Sequence, residues 1–152
     1  MDFDYVEESI QNGVKSVKIK NVKNFELAHI FECGQCFRWN EQENGNYIGV
    51  AFGKVIEVEK RDNDVIIYNT DEKEFSQIWV NYFHLYRDYS EIKSILSRDE
   101  LLKKSVDFGY GIRLLQQEPF ELIVSFIISA NNTYDKKSYR KYKQKMGRTN
   151  II

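Results

Sequence analysis

The sequence predicts an α+β fold, an antiparallel sheet followed by helices. Up to residue 70, short apolar runs rich in Val, Ile and Tyr are separated by Asn, Asp and Gly, the pattern of strands joined by tight turns. From Glu72 the apolar period becomes that of a helix, and strands that precede helices indicate α+β rather than alternating α/β order. The chain has 152 residues, enough for one domain or one and a half, and its 42% hydrophobic and 30% charged residues are ordinary for a globular protein. Ten Phe, ten Tyr and two Trp exclude a disordered chain.

Each element has its own signal. In residues 14–22 (VKSVKIKNV), Val14, then Val17, Ile19 and an apolar return at Val22 predict a strand with one face buried. Residues 25–30 (FELAHI) read as a short helical turn leading into a loop at Cys33-Gly34, and Phe37-Arg38-Trp39 begins an aromatic strand. Asn44-Gly45-Asn46 is a hairpin turn, followed by a strand at 47–52 (YIGVAF). Gly53-Lys54 marks another turn, VIEVEK alternates with period two, and Asp62-Asn63-Asp64 turns into the strand VIIYNT. Four or five such antiparallel strands make a meander. Beyond it, Phe75, Ile78, Trp79, Tyr82 and Phe83 fall at i, i+3, i+4, i+7 and i+8, the stripe of a buried helix face rather than a base-stacking surface. Residues 89–96 and 100–106 are further helices, residues 107–111 a glycine-containing break, and Pro119 opens the apolar helix FELIVSFIISA from a first-turn position.

Charge is unevenly placed. Net charge is -1, but from Tyr134 onward seven basic residues (Lys136, Lys137, Arg140, Lys141, Lys143, Lys145 and Arg148) face only Asp135, which leaves 15 basic and 22 acidic residues before them. An acidic body does not hold DNA by phosphate attraction alone, so a nucleic-acid partner has to rest on particular residues. No apolar run approaches the roughly 20 residues of a membrane span, so no membrane partner is expected. The acidic start Met1-Asp2-Phe3-Asp4 lacks an apolar signal core, and the two cysteines suit a reducing, cytoplasmic location. The tail from residue 138 shows no helical stripe, whereas the helix before it is apolar nearly all round and expects burial. This points to an interruption after Thr133, such as a shifted reading frame, with a natural basic tail as the alternative.

Several residues invite a chemical reading. Cys33 and Cys36 form a CxxC, but His29 and His84 have no matching metal spacing and no βαβ junction surrounds the pair, so neither metal nor cofactor is expected. Gly34 is either a turn glycine or a place where the backbone approaches a ligand closely. Asn131 and Asn132 end the apolar helix, as a C-cap or as amides free to pair with a base. Arg38 and Trp39 read as phosphate contact and stacking platform, or as a buttress and a core residue; structural support is the preferred reading for them, for Gln35 and for Phe37.

Two segments resemble the 8-oxoguanine DNA glycosylase family. Cys33-Gly34-Gln35-Cys36-Phe37-Arg38-Trp39 is similar to its G-Q-x-F-R-W signature. Residues 111–132, GIRLLQQEPFELIVSFIISANN, are similar to its R-x-L-x-Q-x-P motif, followed by a buried helix that ends in a small residue and paired asparagines. The resemblance implies a twisted antiparallel sheet of the TATA-binding-protein-like kind with flanking helices over residues 1–110. It implies the first helices of a helical glycosylase domain at 111–133 and leaves 134–152 as an atypical basic tail. It further implies a monomer acting on double-stranded DNA that contains oxidised guanine. The damaged base is flipped from the duplex, a lysine amine attacks the sugar and an aspartate assists. In that scheme the Gly34 carbonyl reads N7 of the base, Asn131 and Asn132 meet the DNA, and Gln35, Phe37, Arg38 and Trp39 support the loop. The family's lysine lies on an L-P-G-[VI]-G hairpin, whereas the single proline here, Pro119, is followed by Phe120. No residue of this chain is therefore assigned a catalytic role, and base removal by these 152 residues alone is not expected. A non-catalytic damaged-DNA-binding module and a truncated remnant are the alternatives.

Overall fold

The computed structural model describes residues 1–11 and 13–131. Its strands are β1 (Val6–Gln11), β2 (Val14–Ile19), β3 (Trp39–Glu41), β4 (Tyr47–Ala51), β5 (Lys54–Arg61) and β6 (Asp64–Tyr68). They lie in the order β1-β2-β6-β5-β4-β3, with every neighbouring pair antiparallel. Strands β3 to β6 are the expected meander, and the β1-β2 hairpin docks on its β6 side. The chain between β2 and β3 therefore has to cross from one part of the sheet to its far edge. That crossing, residues 20–38, carries α1 (Leu27–Phe31) and the loop at 33–38.

Three details differ from the sequence reading. The sheet has one strand more than expected, because β1, VEESIQ, shows no alternating apolar run. As an edge strand it pairs on one side only, with β2, and a polar composition is tolerated there. Strand β2 stops at Ile19 rather than at residue 22. The β4–β5 turn is Phe52-Gly53, one residue earlier than expected. Both have left-handed backbone (φ 51° and 71°), the two-residue turn that matches strand twist.

The core lies between one face of the sheet and the segments that cross it. Val17, Ile19, Ile56, Val58, Val65 and Ile67 from the strands meet Phe25, Ile30, Phe31, Trp79, Phe83 and Leu85. Ile66 is fully buried yet lies outside this cluster. Alternation puts it on the other face, between its register partners Lys18 and Glu59, whose long stems flank it. Gly49 stands opposite Trp39 in the β3–β4 register, and a Cβ there would lie 2.2 Å from the indole. The missing side chain makes room for Trp39, which stacks on Phe31 at 4.0 Å between ring centres and donates from Nε1 to the Tyr82 hydroxyl at 2.8 Å.

The helix after the sheet is continuous but not uniform. It opens as α2 (Glu72–Glu74), passes through a π-helical stretch, Phe75–Trp79, and returns as α3 (Val80–Tyr82). Asp71 caps its start by accepting from the Glu74 amide. The π turn rotates the following residues, so Val80 is buried together with Phe75, Trp79, Tyr82 and Phe83. Asp88 and Asp99 cap α4 (Tyr89–Leu96) and α5 (Glu100–Phe108) in the same way. The first compact unit is Met1–Glu118. The second begins at Pro119, and its described part is α6 (Pro119–Asn131), with proline at its first position. Asn132 and the tail at 134–152 lie outside the described residues. Among those described, no helix is long and apolar enough to cross a membrane.

Candidate functional site

The loop that joins α1 to β3 has an open side and a clamped side. Gly34 is exposed, its φ is +88°, and nothing lies within 4 Å of where a Cβ would be. The left-handed backbone, not crowding, is what requires glycine here. Among the described residues none donates a hydrogen bond to the Gly34 carbonyl oxygen. Gln35, the next residue, faces inward and is held at four places. Its side-chain amide donates to the carbonyls of Ile30 (2.9 Å) and Arg113 (2.7 Å), and its Oε1 accepts from the Leu115 amide (2.9 Å). Its main-chain carbonyl accepts from Nε2 of Gln117.

The clamping segment, residues 111–117, is itself seated by packing and charge. Gly111 is wedged against Glu26, where a Cβ would approach to 2.3 Å. Its amide donates to Nδ1 of His29 at 3.1 Å, and its carbonyl accepts from the Glu26 amide. Arg113 is fully buried (0% exposed) and directs every edge of its guanidinium at a partner. Nη1 meets the Asp2 carboxylate at 2.8 Å and the carbonyls of Lys23 and Asn24; Nε meets the Phe83 carbonyl; Nη2 meets those of His84 and Arg87. The guanidinium carbon also sits 4.3 Å from the centre of the Tyr89 ring. Asp2 is as deeply buried (1% exposed) and accepts from the Tyr89 amide as well. A buried charge is tolerated only when so paired.

A short polar chain runs beside this hub. The Leu114 amide donates to the Tyr89 hydroxyl at 2.9 Å, and that hydroxyl lies 3.1 Å from Nδ1 of His84. Where Nδ1 is the acceptor of that contact the imidazole is neutral. Burial, and then the charges of Arg113 and Arg87, hold the His84 pKa below its ordinary value. On the loop, Cys33 is exposed and Cys36 buried. Burial, with a smaller contribution from Cys33, pushes the Cys36 thiol up to about 12, the opposite of an activated thiol. Among the described residues no three potential ligands come together as a metal site.

The residues singled out from sequence fall in distinct places. Gly34 forms the open tip, with Gln35 behind it. Phe37 is half-buried, and Arg38 is exposed with its carbonyl accepting from the Val50 amide at 3.2 Å. Trp39 lies in the core. Asn131 is the last residue of α6, in the other unit, and Asn132 lies outside the described residues. Asp2, Tyr89, Arg113 and Gln117 have no role that sequence reasoning alone assigns. Arg113, Leu115 and Gln117 do occur at i, i+2 and i+4, the spacing that puts alternate residues of an extended segment on one side.

Comparison with known proteins gives this geometry a setting. Residues 17–123 match the model of the 8-oxoguanine DNA glycosylase N-terminal domain. The apo crystal structure of the Clostridium acetobutylicum 8-oxoguanine glycosylase/lyase is 65% identical, with a TM-score of 0.82 over 87% of this chain and 45% of that one. The same enzyme with double-stranded DNA containing cytosine opposite 8-oxoG gives 65% identity and a TM-score of 0.83, over 87% of this chain and 44% of that one. MBOgg1 in complex with a low affinity DNA ligand is 43% identical, with a TM-score of 0.78 over 85% of this chain and 44% of that one. The chain thus spans under half the length of the proteins in these structures.

Proposed function

The chain belongs to the 8-oxoguanine DNA glycosylase family through that family's amino-terminal domain, and on this premise we propose that its 33–38 loop reads oxidised guanine in double-stranded DNA for base-excision repair. Oxidised guanine bears a hydrogen on N7, whereas normal guanine has a bare lone pair there. A carbonyl aimed at N7 accepts from the first and is repelled by the second. The observation that carries this reading is that Gly34 is an exposed residue whose carbonyl has no donor among the described residues, on a loop clamped from behind. A glycine at this point lets the backbone approach a ligand without a side chain in the way. In the same reading Asn131 and Asn132 meet the DNA where the flipped base has left its partner. Gln35 and Trp39 hold the loop through their hydrogen bonds and packing, together with Phe37 and Arg38.

Base removal with abasic-site cleavage is the reaction in which this recognition serves. Its lysine hairpin of L-P-G-[VI]-G type does not occur among these 152 residues, so we assign them recognition and not chemistry. The protein works in the cytoplasm as a monomer, beside DNA, where the free thiols of Cys33 and Cys36 stay reduced.

Two measurements test this. At low salt, fluorescence anisotropy is expected to show tighter binding to a duplex carrying 8-oxoguanine than to the same duplex with guanine. Gly34→Ala, which forces the backbone out of its left-handed conformation, narrows the difference. Equal affinity of the unmodified chain for the two duplexes overturns the reading. Borohydride treatment of the damaged duplex with this chain traps no covalent adduct; an adduct would place a nucleophilic amine within these residues.

A further inference from the structure

We infer that Gln117 is a positioning residue for the Gly34 carbonyl, acting through Gln35; this rests on the proposed role of that carbonyl as the acceptor for N7. The Gly34 carbonyl and the Gln35 amide share one peptide plane, so the direction of the oxygen follows from how Gln35 is held on its far side. Three of the four restraints on Gln35 come from residues 113–117: the Arg113 carbonyl, the Leu115 amide and the Gln117 side chain. The first two bind the Gln35 side chain. Among the described residues, only Gln117 binds its main chain, at the carbonyl oxygen one peptide beyond Gly34. Gly34 has no Cβ, and nothing lies within 4 Å of where one would be, so no side chain of its own anchors this peptide. With the Gln35 side chain alone fixed, that peptide can still turn about its flanking bonds; with the Gln35 carbonyl fixed as well, both ends of the turn are set. A glycine loop open to solvent thus gains a fixed acceptor direction from a side chain 83 positions away in the chain, on the edge of the same compact unit.

The test uses the 152-residue protein and two variants. Gln117→Glu keeps shape but replaces the donor by an acceptor that repels the Gln35 carbonyl, and Gln117→Met removes the donor without adding charge. Carbon-13 carbonyl shifts of Gly34 and Gln35, read by solution NMR without DNA, report the peptide directly. Both variants are expected to move the two carbonyl shifts while resonances around Arg113 and Trp39 stay in place. In anisotropy, both are expected to lower the preference for 8-oxoguanine over guanine by about two- to tenfold, the range of one ordinary hydrogen bond. Unchanged Gly34 and Gln35 carbonyl shifts in Gln117→Met overturn the clamp. Moved shifts with an unchanged base preference overturn the positioning role. If the unmodified chain shows no base preference, the recognition reading of Gly34 fails, and the carbonyl shifts still decide whether Gln117 orients that peptide.

Discussion

Two ionic clusters tie distant parts of the sheet domain together in opposite surroundings. In one, Arg113 meets Asp2 at 2.8 Å with side chains 0% and 2% exposed. In the other, Lys18 and Lys20 meet Asp64 at 3.1 and 2.6 Å, with the lysines 28% and the carboxylate 18% exposed. By distance alone the second is the tighter. By environment it is the weaker, because water and salt can replace a lysine at a partly exposed carboxylate, while nothing replaces a partner lost from a dry site. Reach separates them further. Asp64 joins β2 to β6 and accepts from the Asn21 amide beside them. Arg113 gathers the amino terminus, the carbonyls of residues 23–24 and 83–87 and the Tyr89 ring, and its own carbonyl holds Gln35. Burial and connectivity, more than atomic distance, mark the charge on which the candidate site depends.

The largest expected effect follows directly. Arg113→Met leaves Asp2 buried without its cation and is expected to cost about 3–5 kcal/mol, as removal of one partner from a buried pair does. That is a large part of the roughly 5–15 kcal/mol that holds an ordinary domain folded. Urea unfolding followed by circular dichroism checks it, with Asp2→Asn as the reciprocal variant. In a double-mutant cycle the two changes together are expected to cost less than their sum, since the second removes the charge that the first strands. A loss below about 1 kcal/mol for Arg113→Met, the range of exposed pairs, would erase the contrast between the clusters.

Falling pH should reach the two clusters in turn. His84, beside the Arg113 hub, is kept neutral in the folded chain by burial and by Arg113 and Arg87, below its ordinary value of 6.5. The folded state then binds fewer protons than the unfolded one, so this stability is complete above 6.5 and is lost as pH drops through and below it. Asp64 is held well below its ordinary 3.8, chiefly by the Lys20 hydrogen bond and then by the Asn21 amide, so its contribution survives until pH falls below 3.8. The urea midpoint should therefore decline first in mildly acid solution. His84→Asn should flatten that first decline, because asparagine accepts the left-handed backbone at this position (φ 53°) and does not titrate. A midpoint that stays level from neutrality to below 6.5 in the unmodified chain would show that His84 is not the group that titrates there.

The same contrast explains what was legible in the sequence. Strands β4, β5 and β6 can be read because each is a short apolar-rich run between Asn-, Asp- or Gly-bearing turns, and the 75–83 stripe because its period is helical. Strand β1 cannot, since an edge strand needs no buried face. The Gly34 loop is legible only as part of a family signature; alone, its glycine reads as a turn. Arg113 is legible as a letter of the R-x-L-x-Q-x-P motif, but its role as a hub is not, because a buried arginine and a surface arginine are the same letter. Its carboxylate partner stands 111 positions away in the chain. In the sequence Asp2 is merely one of two acids among the first four residues, yet its side chain lies in the interior. Pairing across such separations is a property of the fold, and only the alternation of Arg113, Leu115 and Gln117 announces it locally.

The smallest effect is expected at the exposed cluster. Lys20→Met removes the closer lysine from Asp64 but leaves Lys18 at 3.1 Å and the Asn21 amide in place, so the carboxylate keeps two of its partners. The loss of stability should fall within the scatter of ordinary surface substitutions and shrink further as salt is added, because solvent screens what remains. Urea unfolding at low and high ionic strength measures both. The Arg113→Met deficit should persist at high salt, since screening ions do not enter a site from which water is excluded. If instead Lys20→Met were the costlier change, and stayed so in salt, distance rather than burial would rank these clusters, and the Asp64 pair would be the one that holds the domain.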